Sequence, residues 1–201
     1  MINSKNVKAI LEQTLRPIKL DNDFETPGLE SSTLISSLNG SMLSYATATK
    51  TENNGSLELN SLNNLKMLSL LSKDKWSEDE QTMATATAAA TAPDLSLSST
   101  SFSHADNNNN NNNNTTNSLH HQQQQKQLRF CYHYNVNDDP SHPTRIYTYE
   151  IEDLHTCIAQ IPQSDLLLLL IADSKFPYGL LVMKMRATLR AFKDMFNYKL
   201  G

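Results

Sequence analysis

The chain has 201 residues, room for one domain or at most two small ones. Its 17 Lys and Arg against 21 Asp and Glu give a formal charge of -4, which argues against a protein built to grip a phosphate backbone. Glycine occurs only at 28, 40, 55, 179 and 201, so neither a dinucleotide fingerprint nor a P-loop can be written, and enzymes that depend on them are excluded.

In chain order the first element is a helix. Val7, Ile10, Leu11 and Leu15 share one face, Ser4 is placed to cap it and Pro17 to end it. Positions 34–38 and 42–46 then flank Asn39-Gly40, the dipeptide of a type I′ turn, and read as a hairpin. Residues 57–76 carry a helical pattern with two apolar stripes. Leu62, Leu65, Leu68 and Trp76 point one way, with the small Ser61, Ser69 and Ser72 among them; Leu59, Met67, Leu70 and Leu71 point the other way. A helix apolar on two sides must be covered on two sides, here by its own sheet and by a partner. Which stripe faces outward the spacing leaves open.

The apolar fraction of 38% is low for a globular chain, and the shortfall is local. Residues 82–92 are mostly Thr and Ala, 95–103 are rich in Ser, 107–114 are all Asn, and His120, His121 and four Gln follow. Ordering such a stretch costs roughly 1–2 kcal/mol per residue for the backbone, and it has little apolar area to offset that. Residues 80–143 therefore read as a disordered insertion, which a folded domain carries cheaply because loop closure costs only about 0.6 kcal/mol per doubling of length. Within it, Leu128, Phe130, Tyr132, Tyr134 and Val136 alternate with polar residues and suggest a short strand at 128–136.

Three strands follow. Residues 146–151 alternate, with Tyr147 and Tyr149 on one face. Residues 154–161 come after only Glu152-Asp153, which makes the two an antiparallel hairpin. The run 166–172 is continuously apolar, so both of its faces must be covered. A final helix begins near Tyr178, with Val182, Met185, Leu189, Phe192 and Phe196 along one side. The expected fold is one α/β (α+β) domain: residues 1–79 give helix, hairpin and helix, and residues 144–201 give a three-strand meander and helix. Together they form a five-stranded antiparallel sheet with helices on both faces.

Catalytic chemistry finds no clear seat. His155 and Cys157 share a strand face, but their side chains lie about 7 Å apart at that spacing and no third group orients the histidine, so packing is the plainer role. Glu150, Glu152 and Asp153 crowd a turn that water solvates. Glu78-Asp79-Glu80 reads as a solvated helix exit. Arg145, Arg186 and Arg190 form no basic patch in the sequence. The His pair at 120–121 lacks cysteine partners at zinc-site spacing. No catalytic residue, cofactor or metal is expected. Two cysteines, 131 and 157, are an ordinary count for a reduced protein. There is no signal-peptide core, and seven apolar residues are far short of the ~20 a spanning helix needs.

The element order resembles the roadblock/dynein-light-chain superfamily. Several blocks resemble the family of the third subunit of the yeast EGO complex, the fungal counterpart of Ragulator: Ser4-Lys5-Asn6-Val7-Lys8, Asn63-Asn64-Leu65-Lys66-Met67, Lys73-Asp74-Lys75-Trp76-Ser77-Glu78-Asp79-Glu80, Ile146-Tyr147-Thr148-Tyr149-Glu150, Glu152-Asp153-Leu154-His155-Thr156-Cys157, Phe176-Pro177-Tyr178-Gly179-Leu180-Leu181-Val182 and Tyr198-Lys199-Leu200-Gly201. The insertion departs from it, being longer and richer in Asn and Gln. The resemblance implies a non-enzymatic scaffold on the cytosolic face of the vacuolar membrane, which holds Rag-type GTPases for TOR complex 1 signalling and takes part in microautophagy. Its implied partners are a second roadblock subunit, a lipidated anchor subunit and a Rag-type GTPase heterodimer, with a homodimer in isolation. Membrane contact would be indirect, and no nucleic acid is involved. Leu59, Met67, Leu70, Leu71, Ile146, Tyr147, Tyr149 and Ile151 are the expected partner interface. The alternatives are a regulator that stimulates GTP hydrolysis on a small GTPase and a dynein-type adaptor, the latter on fold alone.

Overall fold

A computed structural model describes residues 4–18, 26–48, 62–91, 130–135 and 143–201. The elements are α1 (Ser4–Leu15), β1 (Ser31–Ser36), β2 (Met42–Thr47), α2 (Leu62–Thr91), β3 (Phe130–Tyr134), β4 (Thr144–Ile151), β5 (Leu154–Gln160), β6 (Leu166–Asp173) and α3 (Tyr178–Ala191), with a short 3-10 turn at Lys193–Met195. All strand pairs are antiparallel, in the order β2-β1-β6-β5-β4-β3.

β6 explains the layering. Its first seven residues are buried, and alternate side chains enter two separate cores. Leu166, Leu168, Leu170 and Ala172 meet Val7 and Leu11 of α1 and Leu181, Met185 and Leu189 of α3. Leu167, Leu169 and Ile171 meet Leu65 and Leu68 of α2, together with Tyr147, Tyr149, Ile151 and Ile158. Burying one such leucine contributes about 1.5–3 kcal/mol, so a single wet face on β6 would forfeit a large part of the folding free energy.

The expected antiparallel sheet with helices on both faces is present. It has six strands rather than five, because the alternating stretch after the low-complexity region joins β4 as an edge strand. α2 also runs to Thr91, well past residue 79, since its Thr/Ala extension contains the best helix-forming residue. The stretch 92–129 lies outside the described residues.

The turn assignment is corrected. Between β1 and β2 only Gly40 has positive φ, +71°, and a five-residue loop is closed by Gly40 N–H donating to Ser36 O at 2.9 Å. A type I′ turn needs two left-handed residues. That geometry sits instead at Glu152 and Asp153, φ 51° and 61°, between the paired Ile151 and Leu154.

The first and last helices are joined by charge. Lys184 of α3, 8% exposed, donates from Nζ to Thr14 O at 2.8 Å and also to Arg16 O, meeting carbonyls at the end of α1 that have no helical partner. The C-terminal tail is held in turn by Asp165, which accepts from Lys199 Nζ at 3.0 Å and from Leu200 N–H at 3.1 Å.

Replacing Lys184 by Met should cost about 1–3 kcal/mol in urea melts, because it leaves the carbonyls at the end of α1 without their donor. The Lys199 bond holds the Asp165 carboxyl below the usual aspartate range. A depressed folded pKa stabilises above the unfolded value of about 3.9 and ceases to as pH falls through the folded one. Residues 198–201 should therefore gain amide exchange in acid, and Asp165→Asn should show the same loosening at neutral pH.

Candidate interaction surface

α2 resolves its two stripes. Leu65 and Leu68 are buried, and Ser69 and Ser72, both 0% exposed, let the helix settle close to the sheet, Ser69 Oγ donating to Leu65 O at 2.8 Å. On the opposite side Met67 is 44%, Leu70 47% and Leu71 38% exposed, and Leu62 at the helix start is 41% exposed. The β1–β2 loop packs against this helix: a Cβ at Gly40 would fall 2.7 Å from Leu70 Cδ2. Leu38, on the same loop, is the most exposed large apolar residue described.

Farther along, α2 is pinned by carboxylates. Glu80 Oε2 accepts from Arg145 Nη1 at 2.6 Å and Glu80 Oε1 from the Tyr147 hydroxyl at 2.9 Å, while Asp79 Oδ2 accepts from the Tyr149 hydroxyl at 2.8 Å. The two tyrosine rings lie near parallel, 6.3 Å apart between centroids. Burial, and then the Glu80 hydrogen bond, push the Tyr147 phenol above its ordinary pKa, so it stays a donor. The acidic run expected to solvate a helix exit is thus two-thirds engaged with the sheet. Nothing local in the sequence marks this, since the partners lie 65 to 70 residues away.

The expected interface residues separate accordingly. Met67, Leu70 and Leu71 form an outward stripe. Tyr147, Tyr149 and Ile151 are at most 4% exposed beneath α2, and Ile146 is fully buried on the other face of the sheet. Nor is β4 an edge, because β3 covers it. In this chain those four β4 residues are core, a correction that follows from the extra strand and the pinned helix. Leu59 lies outside the described residues.

Other candidate groups are engaged in packing. His155 donates from Nδ1 to Phe176 O at 2.8 Å and stacks on Tyr178 with ring centroids 3.9 Å apart. Cys157 is fully buried, and burial pushes its thiol well above the ordinary value, away from thiolate chemistry. Arg186 and Arg190 both lie over the Tyr134 ring, 5.2 and 5.5 Å from its centroid. Glu150, Glu152 and Asp153 are exposed around the β4–β5 turn.

The sequence model of the family described as Protein SLM4 matches residues 1–120 and 94–200. The chain is 45% identical over 203 residues to Protein SLM4 of Saccharomyces cerevisiae, an alignment spanning 100% of this chain and 99% of that protein. This match overturns the roadblock/dynein-light-chain assignment drawn from the element order and replaces it with the SLM4 family.

Tyr149→Phe should cost about 1.5–3 kcal/mol in chemical denaturation, the worth of one hydroxyl–carboxylate bond. Tyr149→Asp should leave little folded protein, because it buries a carboxylate beside Asp79. A Tyr149→Asp protein melting like the parent would show that the tyrosine is not core.

Proposed function

The chain belongs to the SLM4 family, and on that premise we propose that it is a non-enzymatic scaffold subunit of an EGO/Ragulator-like complex on the cytosolic face of the vacuolar membrane. It binds a second subunit of similar fold and a lipidated anchor subunit. It positions a Rag-type GTPase heterodimer for amino-acid-dependent TOR complex 1 signalling, and it takes part in microautophagy. In isolation it pairs with a second copy of itself.

The observation that carries this reading is the outward stripe of α2. A helix with Leu65 and Leu68 sunk into the sheet still presents Met67, Leu70 and Leu71 to solvent, with Leu38 and Leu62 also exposed. Apolar side chains exposed side by side on one helix face support the reading of α2 as an interaction surface. Each such side chain contributes about 1.5–3 kcal/mol when buried, so a few can dominate a contact. Among the described residues no helix is long and apolar enough to cross a membrane, and the proposal gives membrane attachment to the lipidated subunit. The engagement of Arg145 with Glu80, and of Arg186 and Arg190 with Tyr134, weighs against an arginine-finger role on a GTPase.

Met67→Asp combined with Leu71→Asp tests the reading. Both positions are exposed, so thermal stability should stay within about 1 kcal/mol of the parent. The tagged double variant, recovered from fungal extract and analysed by mass spectrometry, should lose the second subunit, the anchor and both GTPases. Full recovery of these partners by the folded variant would remove α2 as the scaffold surface.

A further inference from the structure

The two sides of the sheet differ in charge as well as in helix number. Residues 4–18 and 174–201, which build the layer of α1, α3 and the C-terminal tail, hold nine Lys and Arg against Glu12 and Asp194 alone. That is a formal +7 within a chain of -4, so the remainder carries -11. The whole-chain charge hides this division, and no single stretch of sequence displays it, because the two segments lie at opposite ends of the chain.

Two of the nine cations are spent inside the fold: Lys184 caps the end of α1, and Lys199 bonds Asp165. The other seven are exposed or half-exposed. Lys5 and Arg16 lie along α1 and its exit, and Arg186, Arg190 and Lys193 along α3 and the turn that follows. The Tyr134 ring lies under Arg186 and Arg190, and a ring leaves their charge in place where a carboxylate would cancel it. Between these flanks the layer is apolar. Met183, on the outer side of α3, is 60% exposed, Ala187 and Ala191 are exposed one and two turns on, and Ile10 shares a groove with them. A site for one small anion gathers its cations in one pocket. Here they are spread over two helices around an apolar strip, which matches a planar surface whose anionic headgroups meet the cations and whose acyl boundary takes Met183.

We propose that the α1/α3 face binds directly and reversibly to the anionic phospholipid surface of the membrane, with α2 turned away from it. The inference rests on the membrane location proposed above and assigns the contact to one face of this chain. A single acyl chain holds a protein to a bilayer only marginally, and stable attachment takes a second signal such as a basic surface. The lipidated subunit supplies the first signal and this face the second. Alone the contact is weak, because each cation near the surface adds little and physiological salt screens it beyond about 8 Å.

The test is co-sedimentation of the full chain with phosphatidylcholine vesicles, with and without phosphatidylserine. Binding should require phosphatidylserine and fall about tenfold or more as salt rises from low to physiological strength. Arg190→Gln with Lys193→Gln removes two exposed cations and should weaken binding about tenfold or more. Lys66→Gln with Lys73→Gln removes the same charge from α2 and should change binding less than about twofold. In a Cys131→Ser background, a polarity-sensitive dye on Met183→Cys should shift to the blue on vesicles, and one on Met67→Cys should not. Absence of binding at low salt, or equal weakening by the two charge pairs, overturns the proposal. So does retention on immobilised polyglutamate by a chain that ignores vesicles, which would make the face a seat for an acidic protein segment. Any of these failures leaves the scaffold reading standing as long as the chain recovers the second subunit, the anchor and both GTPases from extract. A chain that binds vesicles but recovers none of them keeps the basic face and loses the scaffold.

Discussion

A strand with no wet face governs this molecule. β6 places leucine at five consecutive positions, and alternation sends them to opposite sides of the sheet. Neither side can be left to water, so the fold must bring helices to both. The chain ends supply one layer through α1 and α3, while the middle of the chain supplies the other through α2 alone. This asymmetry has a structural consequence. The layer made of two helices closes on itself through Lys184 and the carbonyls at the end of α1. The layer made of one helix covers its part of the sheet and still presents apolar side chains outward.

The pinning of α2 follows from the same asymmetry. A lone helix over a sheet has no neighbour to fix its rotation. Ser69 and Ser72 give it a narrow face to seat, and Asp79 and Glu80 hold its far half to Tyr149, Tyr147 and Arg145. Rotation by half a turn would bury Met67, Leu70 and Leu71 but break three charge-assisted bonds. The outward stripe is thus stabilised by polar contacts some distance along the same helix.

Much of this was legible in sequence. The face of α1 through Val7 and Leu11, the doubly covered run at 166–172, the meander and the last helix all followed from periodicity. The orientation of α2 did not, because its stripes are about equally apolar; the small serines beside Leu65 and Leu68 were the signal. The Asn39-Gly40 pair suggested a tight turn where a longer loop sits, while Glu152-Asp153, with no glycine, adopts the left-handed pair. The carboxylate pins were invisible because hydrogen bonds spanning 65 residues leave no local pattern. Tyr147 and Tyr149 looked like surface because the alternation at 128–136 suggested a strand without fixing which strand it would pair with.

The layers also give the molecule a front and a back. α1 lies on the face opposite α2, and so do Met195, Phe196, Tyr198 and Leu200 of the C-terminal tail. A fluorophore, affinity handle or surface linkage joined at either end would be carried on the rear of the sheet. The molecule can then be immobilised from behind while the α2 stripe remains free, and the two attachments do not compete for space.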